Sequence, residues 1–271
     1  MMSTRVLLDA GVISHSEFAE YAIKEVPMPW AGSTTVSRVH VLRRKQRDRN
    51  EDHEKQMEAL FTVGRLIREG RVEAYTYNEI EFERSRGRMP VQEFNALQGC
   101  AIGKCDPALE RSRFRRTIHF IEYCSKGGKK DRREGVPLGS ASQIAFLEWL
   151  CTLDKRHANA LIEQASVIGL SPFEIDSLRN LEWFKLLCDR SMSSENYPDV
   201  FHLWTAERNQ MDAFLTLDTK LPRLVGRVRG EKKSAIQIRT EALLPLDLLK
   251  RLGIATPDAV PIDSDREYNL Y

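Results

Sequence analysis

Four acidic residues stand where the chain changes character. Asp9 follows the apolar run Arg-Val-Leu-Leu at 5–8, and Glu79 follows "RVEAYTY" at 71–77. Asp199 comes just after Pro198, at the start of a helix-like stretch, and Asp218 ends the run Ala-Phe-Leu-Thr-Leu at 213–217. Each acid alone has a plain reading. An acid near a helix start favours the dipole, and an acid after a strand suits a turn. Together they invite a chemical one. Carboxylates that share a site raise one another's pKa unless a cation lies among them. Mg²⁺ or Mn²⁺, hard ions that take oxygen ligands, meet that need. Such an ion activates water and steadies charge on a phosphoryl oxygen. With basic segments nearby, the chemistry indicated is metal-dependent hydrolysis of a phosphodiester.

That reading requires the acids to share one edge of the fold. Strand-like runs at 5–8, 71–77 and 213–217 alternate with helical stretches, which predicts an α/β fold with a central, mainly parallel sheet flanked by helices. Ligands in such folds bind outside the carboxyl ends of the strands. Asp9, Glu79 and Asp218 each follow a strand. Asp199 begins a helix that returns into the last of them, nineteen positions before Asp218. The rest of the chain reads as follows. Ser14–Ile23 looks helical. Residues 27–50 read as an irregular loop, or an edge strand and an exposed basic turn. Residues 51–69 carry Met57, Leu60, Val63, Leu66 and Ile67 at helical spacing, closed by Gly70. Residues 88–140 are rich in Gly, Lys and Arg, with "KGGKKDRREG" at 126–135 expected to be a mobile loop. Helices are expected over 141–153, 155–168 and 171–190. A last strand, turn and short helix fill 235–254, followed by a loosely packed tail at 255–271.

"RVLLDAGVI" at 5–13, "YTYNEIEFER" at 75–84, "PDVFHLWTAERNQMDAFLTLDTKL" at 198–221 and "IQIRTEALLPLDLLKRLGI" at 236–254 resemble successive signatures of the PIN-domain nucleases. The resemblance implies a PIN-like three-layer fold. It implies that Asp9, Glu79, Asp199 and Asp218 bind Mg²⁺ or Mn²⁺ and carry out endonucleolytic cleavage of RNA. The family includes toxins of bacterial toxin–antitoxin pairs and RNA-processing enzymes. Many members carry Thr or Ser directly after the first aspartate, where this chain has Ala10. The middle acid is Glu79 by position, with Glu81 next. If 79–84 is helical, Glu79 and Glu83 share a face; if it is a strand, all three glutamates do. The matching segments, 5–21, 56–83, 195–221 and 236–254, cover 91 of 271 residues. Residues 85–190 have no counterpart. They read as a mainly helical, basic insertion within a single domain over 1–254, suited to selecting substrate, binding a protein inhibitor or other partner, or blocking the site.

Other residues carry weaker signals. Basic runs include Arg43 and Arg44, then Arg113, Arg115 and Arg116, then Lys129 and Lys130; each suits either a phosphate backbone or a solvated surface. Phe114 and Phe120 are placed to stack on bases. Cys100, Cys105, His119 and Cys124 are permissible zinc ligands, though ordinary reduced cysteines explain them more simply. His202 reads as a helix-surface histidine, Asp212 as the start of a strand and Glu195 as a loop acid. The composition is 42% hydrophobic and 30% charged with a net charge of +2, which is globular and neither strongly basic nor acidic. Five cysteines and no leader-like N-terminus make a reducing cytosol the expected compartment. No apolar stretch approaches the ~20 residues that cross a bilayer. Two other readings stand beside the ribonuclease: a non-catalytic module that binds RNA or protein, and a DNA-directed nuclease of related fold. Oligomerisation is compatible with each.

Overall fold

A computed structural model of the chain describes residues 3–30, 32–45, 50–84, 94–115, 117–125, 138–191, 193–230, 238–263 and 266–269. The elements run β1 (Thr4–Leu8), α1 (Ala10–Ser14), β2 (Ala19–Trp30), β3 (Ser33–Arg44), α2 (Glu51–Arg68), β4 (Val72–Thr76), α3 (Asn78–Arg84) and β5 (Ile102–Lys104). There follow α4 (Arg111–Phe114), α5 (Ile118–Ser125), α6 (Leu138–Thr152), α7 (Lys155–Glu163), α8 (Ala165–Ile168), α9 (Pro172–Arg179) and α10 (Leu181–Arg190). The chain closes with α11 (Tyr197–Arg208), β6 (Ala213–Leu215), α12 (Lys220–Gly230), β7 (Glu241–Leu243), α13 (Pro245–Arg251) and β8 (Glu267–Asn269). The architecture is α/β. A central five-stranded parallel sheet in the order β5-β4-β1-β6-β7 is flanked by helices.

The chain divides into two units. The first comprises residues 1–103, 215–217 and 243–271. Its core follows from β1 and α2. Val6, Leu7 and Leu8 are fully buried, as a strand covered on both faces requires. On α2, Met57, Leu60, Val63 and Leu66 recur on one face and are buried, and α13 packs against the same helix. Asn50 caps α2 by accepting from the N–H groups of Asp52 and His53. Gly64 marks a close approach: a Cβ there would lie 1.9 Å from the Ala96 carbonyl oxygen. Gly64→Ala is therefore expected to destabilise the protein by about 1–3 kcal/mol through overpacking. That outweighs the gain of at most about 1 kcal/mol in helix propensity. A lower urea midpoint checks it.

The second unit comprises residues 104–214 and 218–242 and is mainly helical. Large rings hold it together. Phe114, Phe120 and Phe146 surround Trp149, with centroids 5.3–5.7 Å from it. Phe184, Phe201 and Trp204 form a second group joining α10 to α11. Ser171 and Glu174 form a reciprocal capping box at α9. Glu174, only 3% exposed, also accepts from the Glu110 N–H and pairs with Arg113.

Several expectations are corrected. Ser14–Ile23 is not a helix: α1 stops at Ser14 and β2 begins at Ala19. Of the two readings of 27–50, the irregular loop is overturned and the strand holds: residues 33–44 are a long strand paired antiparallel with β2. The β-branched residues Thr34, Thr35, Val36, Val39 and Val41 suit that pleated conformation. The run at 213–217 is strand only to Leu215. The C-terminal segment is not loose throughout, since β8 pairs with β3 and Ile262 is buried. Phe114 and Phe120 are core residues, 0% and 8% exposed, and are not available to bases. The stretch 126–135 lies outside the described residues. No described helix is long and apolar enough to cross a membrane.

Candidate functional site

The acids of the first unit follow paired strands. β1 and β4 run parallel, with Thr4 opposite Val72 and Leu7 opposite Tyr75. Asp9 and Glu79 lie just past the carboxyl ends of those strands. Asp9 sits at the N-cap of α1 with extended backbone angles, yet its side chain makes no capping bond. Its N–H donates to the Leu215 carbonyl at 3.0 Å, and its carboxylate Oδ2 accepts from the Thr216 hydroxyl at 2.9 Å. Gly11 lies close beneath: a Cβ there would stand 3.3 Å from the same Oδ2. Glu79 occupies the first turn of α3, which packs against α1. Because 78–84 is helical, Glu79 and Glu83 share a face, and Glu81 does not lie on it.

The acids of the second unit share a pocket. Asp199 stands in the first turn of α11, after Pro198, where the helix dipole favours a negative charge. Asp218 precedes α12, and its Oδ1 accepts from the Lys220 N–H at 2.8 Å. Both line a cavity of about 180 Å³ with Ser191, Asn196, Lys220, Leu221, Leu224 and Arg227. Both are half-buried. Neither Lys220 nor Arg227 has an ion-pair partner among the described residues, so two positive charges border the carboxylates. Tyr197, at the first position of α11, is pushed up to about 12 by burial, so its phenol stays protonated at neutral pH.

The donor set suits a hard cation: carboxylate oxygens from Asp199 and Asp218, with the Asn196 side chain on the same wall. Asn196 spends its NH₂ group on the Ser191 carbonyl, which leaves its oxygen as an acceptor. Among the described residues, no group of three or more His, Cys, Asp or Glu side chains is arranged to hold a metal ion.

The remaining sequence candidates fall elsewhere. Arg43 pairs with Glu20. Arg44, 18% exposed, bridges Glu54 and Glu58. Arg113 is held by Glu110, Glu174 and the Gly169 carbonyl. Arg115 is exposed, while Arg116, Lys129 and Lys130 lie outside the described residues. Cys100 contacts Arg68 and the Gly64 carbonyl and is a free thiol. His202 is fully buried, with Phe214 6.2 Å away, and is not a surface residue. It lies on a helix whose residues 200–206 are all buried, so every face of α11 there meets core.

Thr216 was not singled out from the sequence. It is 1% exposed, and its hydroxyl supplies Asp9 with a contact that Ala10, lacking one, does not. Thr216→Val keeps the shape and removes the donor. A loss of about 1–3 kcal/mol is expected, because the half-buried Asp9 carboxylate loses a hydrogen bond. A urea titration checks it.

No family model matches this chain, and neither the curated proteins nor the solved structures contain a significant match to it.

Proposed function

We propose that this chain is a metal-dependent endoribonuclease of the PIN type, acting through Asp9, Glu79, Asp199 and Asp218. The observation that carries the reading is the cavity that Asp199 and Asp218 line together with Lys220 and Arg227. Two carboxylates facing two cations suit a site that takes both a divalent ion and a phosphate. Asp199 and Asp218 would hold Mg²⁺ or Mn²⁺, with Asp9 and Glu79 as the acids of the first unit. When bound, the ion supplies an activated water and neutralises charge on the phosphoryl oxygen. The chain's own residues do the rest. Thr216 fixes the orientation of Asp9, and the cap from Asp218 to Lys220 fixes that carboxylate relative to α12. Lys220 and Arg227 draw the phosphate backbone in, in a salt-dependent way.

The RNA assignment rests on the resemblance of the motif blocks, because a carboxylate–metal pair hydrolyses DNA by the same chemistry. The test is cleavage of a mixed RNA pool by the purified protein in Mn²⁺, Mg²⁺ or EDTA, with single-stranded DNA as competitor. Cleavage in Mn²⁺ or Mg²⁺, absent in EDTA and little affected by DNA, is the expected result. Cleavage of DNA in preference would replace the substrate. A folded protein that binds RNA and cuts nothing would favour the non-catalytic module.

A further inference from the structure

The second unit brings together two thiols that the proposed chemistry leaves unused. Cys151 lies near the end of α6 and Cys188 near the end of α10, and these two helices pack against each other. Each cysteine sits one turn on from a buried residue of its own helix. Leu147 precedes Cys151 by four positions, and Phe184 precedes Cys188 by four. The two thiols share a hydrogen bond, and both are free. Their exposure differs. Cys188 is 2% exposed, while Cys151 is only half-buried.

The surroundings place the pair beside α11. Tyr197, the first residue of that helix, lies within electrostatic reach of both sulfurs, and Tyr123 within reach of Cys151. Burial pushes both phenols up to about 12 and pushes the Cys188 thiol up as well. The Cys188 carbonyl accepts from the Ser191 hydroxyl at 2.8 Å, and the Ser191 carbonyl accepts from the Asn196 side chain at 3.1 Å. Ser191 and Asn196 both line the pocket of Asp199 and Asp218. Buried cysteines often serve only as small apolar residues. This pair has more: a thiol a small oxidant can reach, in contact with a second thiol sealed in the core. That is the arrangement of a reactive cysteine and its resolving partner.

We propose that Cys151 and Cys188 are a peroxide-responsive pair that closes into a reversible disulfide, stapling α6 to α10. Hydrogen peroxide is the oxidant. The Cys151 sulfur attacks one peroxide oxygen and the O–O bond breaks. The hydroxide released takes up the Cys151 proton as water, leaving a sulfenic acid. The Cys188 sulfur then attacks the Cys151 sulfur and the S–O bond breaks. The second hydroxide leaves with the Cys188 proton as water. Two thiols and one peroxide thus give one disulfide and two waters. A dithiol reductant reverses the step by exchange. Because α6 and α10 both pack against α11, the staple fastens the helices that hold it. The inference does not depend on the nuclease reading.

The test treats the folded protein with hydrogen peroxide and maps its peptides by mass spectrometry without reduction. The major product is expected to be a peptide pair joined through Cys151 and Cys188, with the loss of two of the five titratable thiols. The urea midpoint of the oxidised protein should lie above that of the reduced one, since the link restricts the unfolded chain, and dithiothreitol should restore it. Cys151→Ala should abolish the link. Cys188→Ala should leave a sulfenic acid on Cys151 that a 1,3-diketone probe traps. A folded parent protein in which Cys151 is oxidised and Cys188 does not join it would overturn the proposal. So would a protein that loses no thiols, or one whose links match the mixture that peroxide produces from the urea-unfolded chain.

Discussion

Replacing Asp199 and Asp218 together by asparagine is expected to reduce metal-dependent RNA cleavage by about 10²- to 10³-fold or more. That is the scale of losing one preorganised electrostatic contact to a transition state, and two are removed here. The substitution separates charge from structure. Asparagine keeps a side-chain oxygen, so the contact from Asp218 to the Lys220 N–H can persist. At position 199 the lost interaction with the dipole of α11 costs about 0.3–1 kcal/mol. Stability should therefore fall slightly while activity falls by orders of magnitude. Rates measured at saturating Mn²⁺, beside urea midpoints of the same proteins, check both halves. If activity fell only in proportion to the folded fraction, the two acids would be a helix-dipole residue and a cap, and nothing more.

Trp204→Ala is expected to cost about 3–5 kcal/mol, the usual range for deleting a large buried ring. Trp204 has no exposed surface and lies 5.2 Å from Phe184 and 5.7 Å from Phe201, between centroids. Its indole N–H has no hydrogen-bond partner among the described residues, so the loss is one of packing alone. Against a typical total of about 5–15 kcal/mol, this is a large share. Trp204 lies on α11, the helix whose first turn carries Asp199. Chemical denaturation should show a lower midpoint with little change in slope, and Trp204→Phe should recover much of the loss. A Trp204→Ala protein as stable as the parent would mean that the aromatic group linking α10 to α11 contributes little.

The elements that positioned the acids were legible because their signals are local. β1 ends in the apolar run Val-Leu-Leu, β4 alternates buried and exposed positions, α2 repeats at helical spacing behind Asn50, and Pro198 stands in the first turn of α11. β2 was not. "AEYAIKE" at 19–25 contains Ala, Glu and Lys, which favour helices, and only its pairing with residues 38–44 makes it a strand. β8 was missed for the same reason: three residues become a strand only beside β3. β2 and β8 leave no such local trace, whereas β3 carries β-branched residues. Burial of His202 was hidden too, since a helix enclosed on all sides has no polar stripe to reveal it. Of the site, Asp199 and Asp218 were readable from the helix–strand spacing, and the structure puts them in one pocket. Thr216, Lys220 and Arg227 were not, because a hydroxyl or a cation near an acid in sequence does not show where its side chain points. The Phe114 and Phe120 expectation failed on composition: aromatics beside arginines look like a nucleic-acid face, yet both rings enter the core around Trp149.

The central claim is that the acids hold a divalent cation, and Mn²⁺ binding followed by electron paramagnetic resonance tests it most directly. The free Mn²⁺ signal should decline as protein is added and saturate at one or two ions per chain. The Asp199→Asn, Asp218→Asn protein should leave most of that signal unchanged. A folded parent protein that takes up no Mn²⁺, or a double variant that binds it as well as the parent does, would contradict the account.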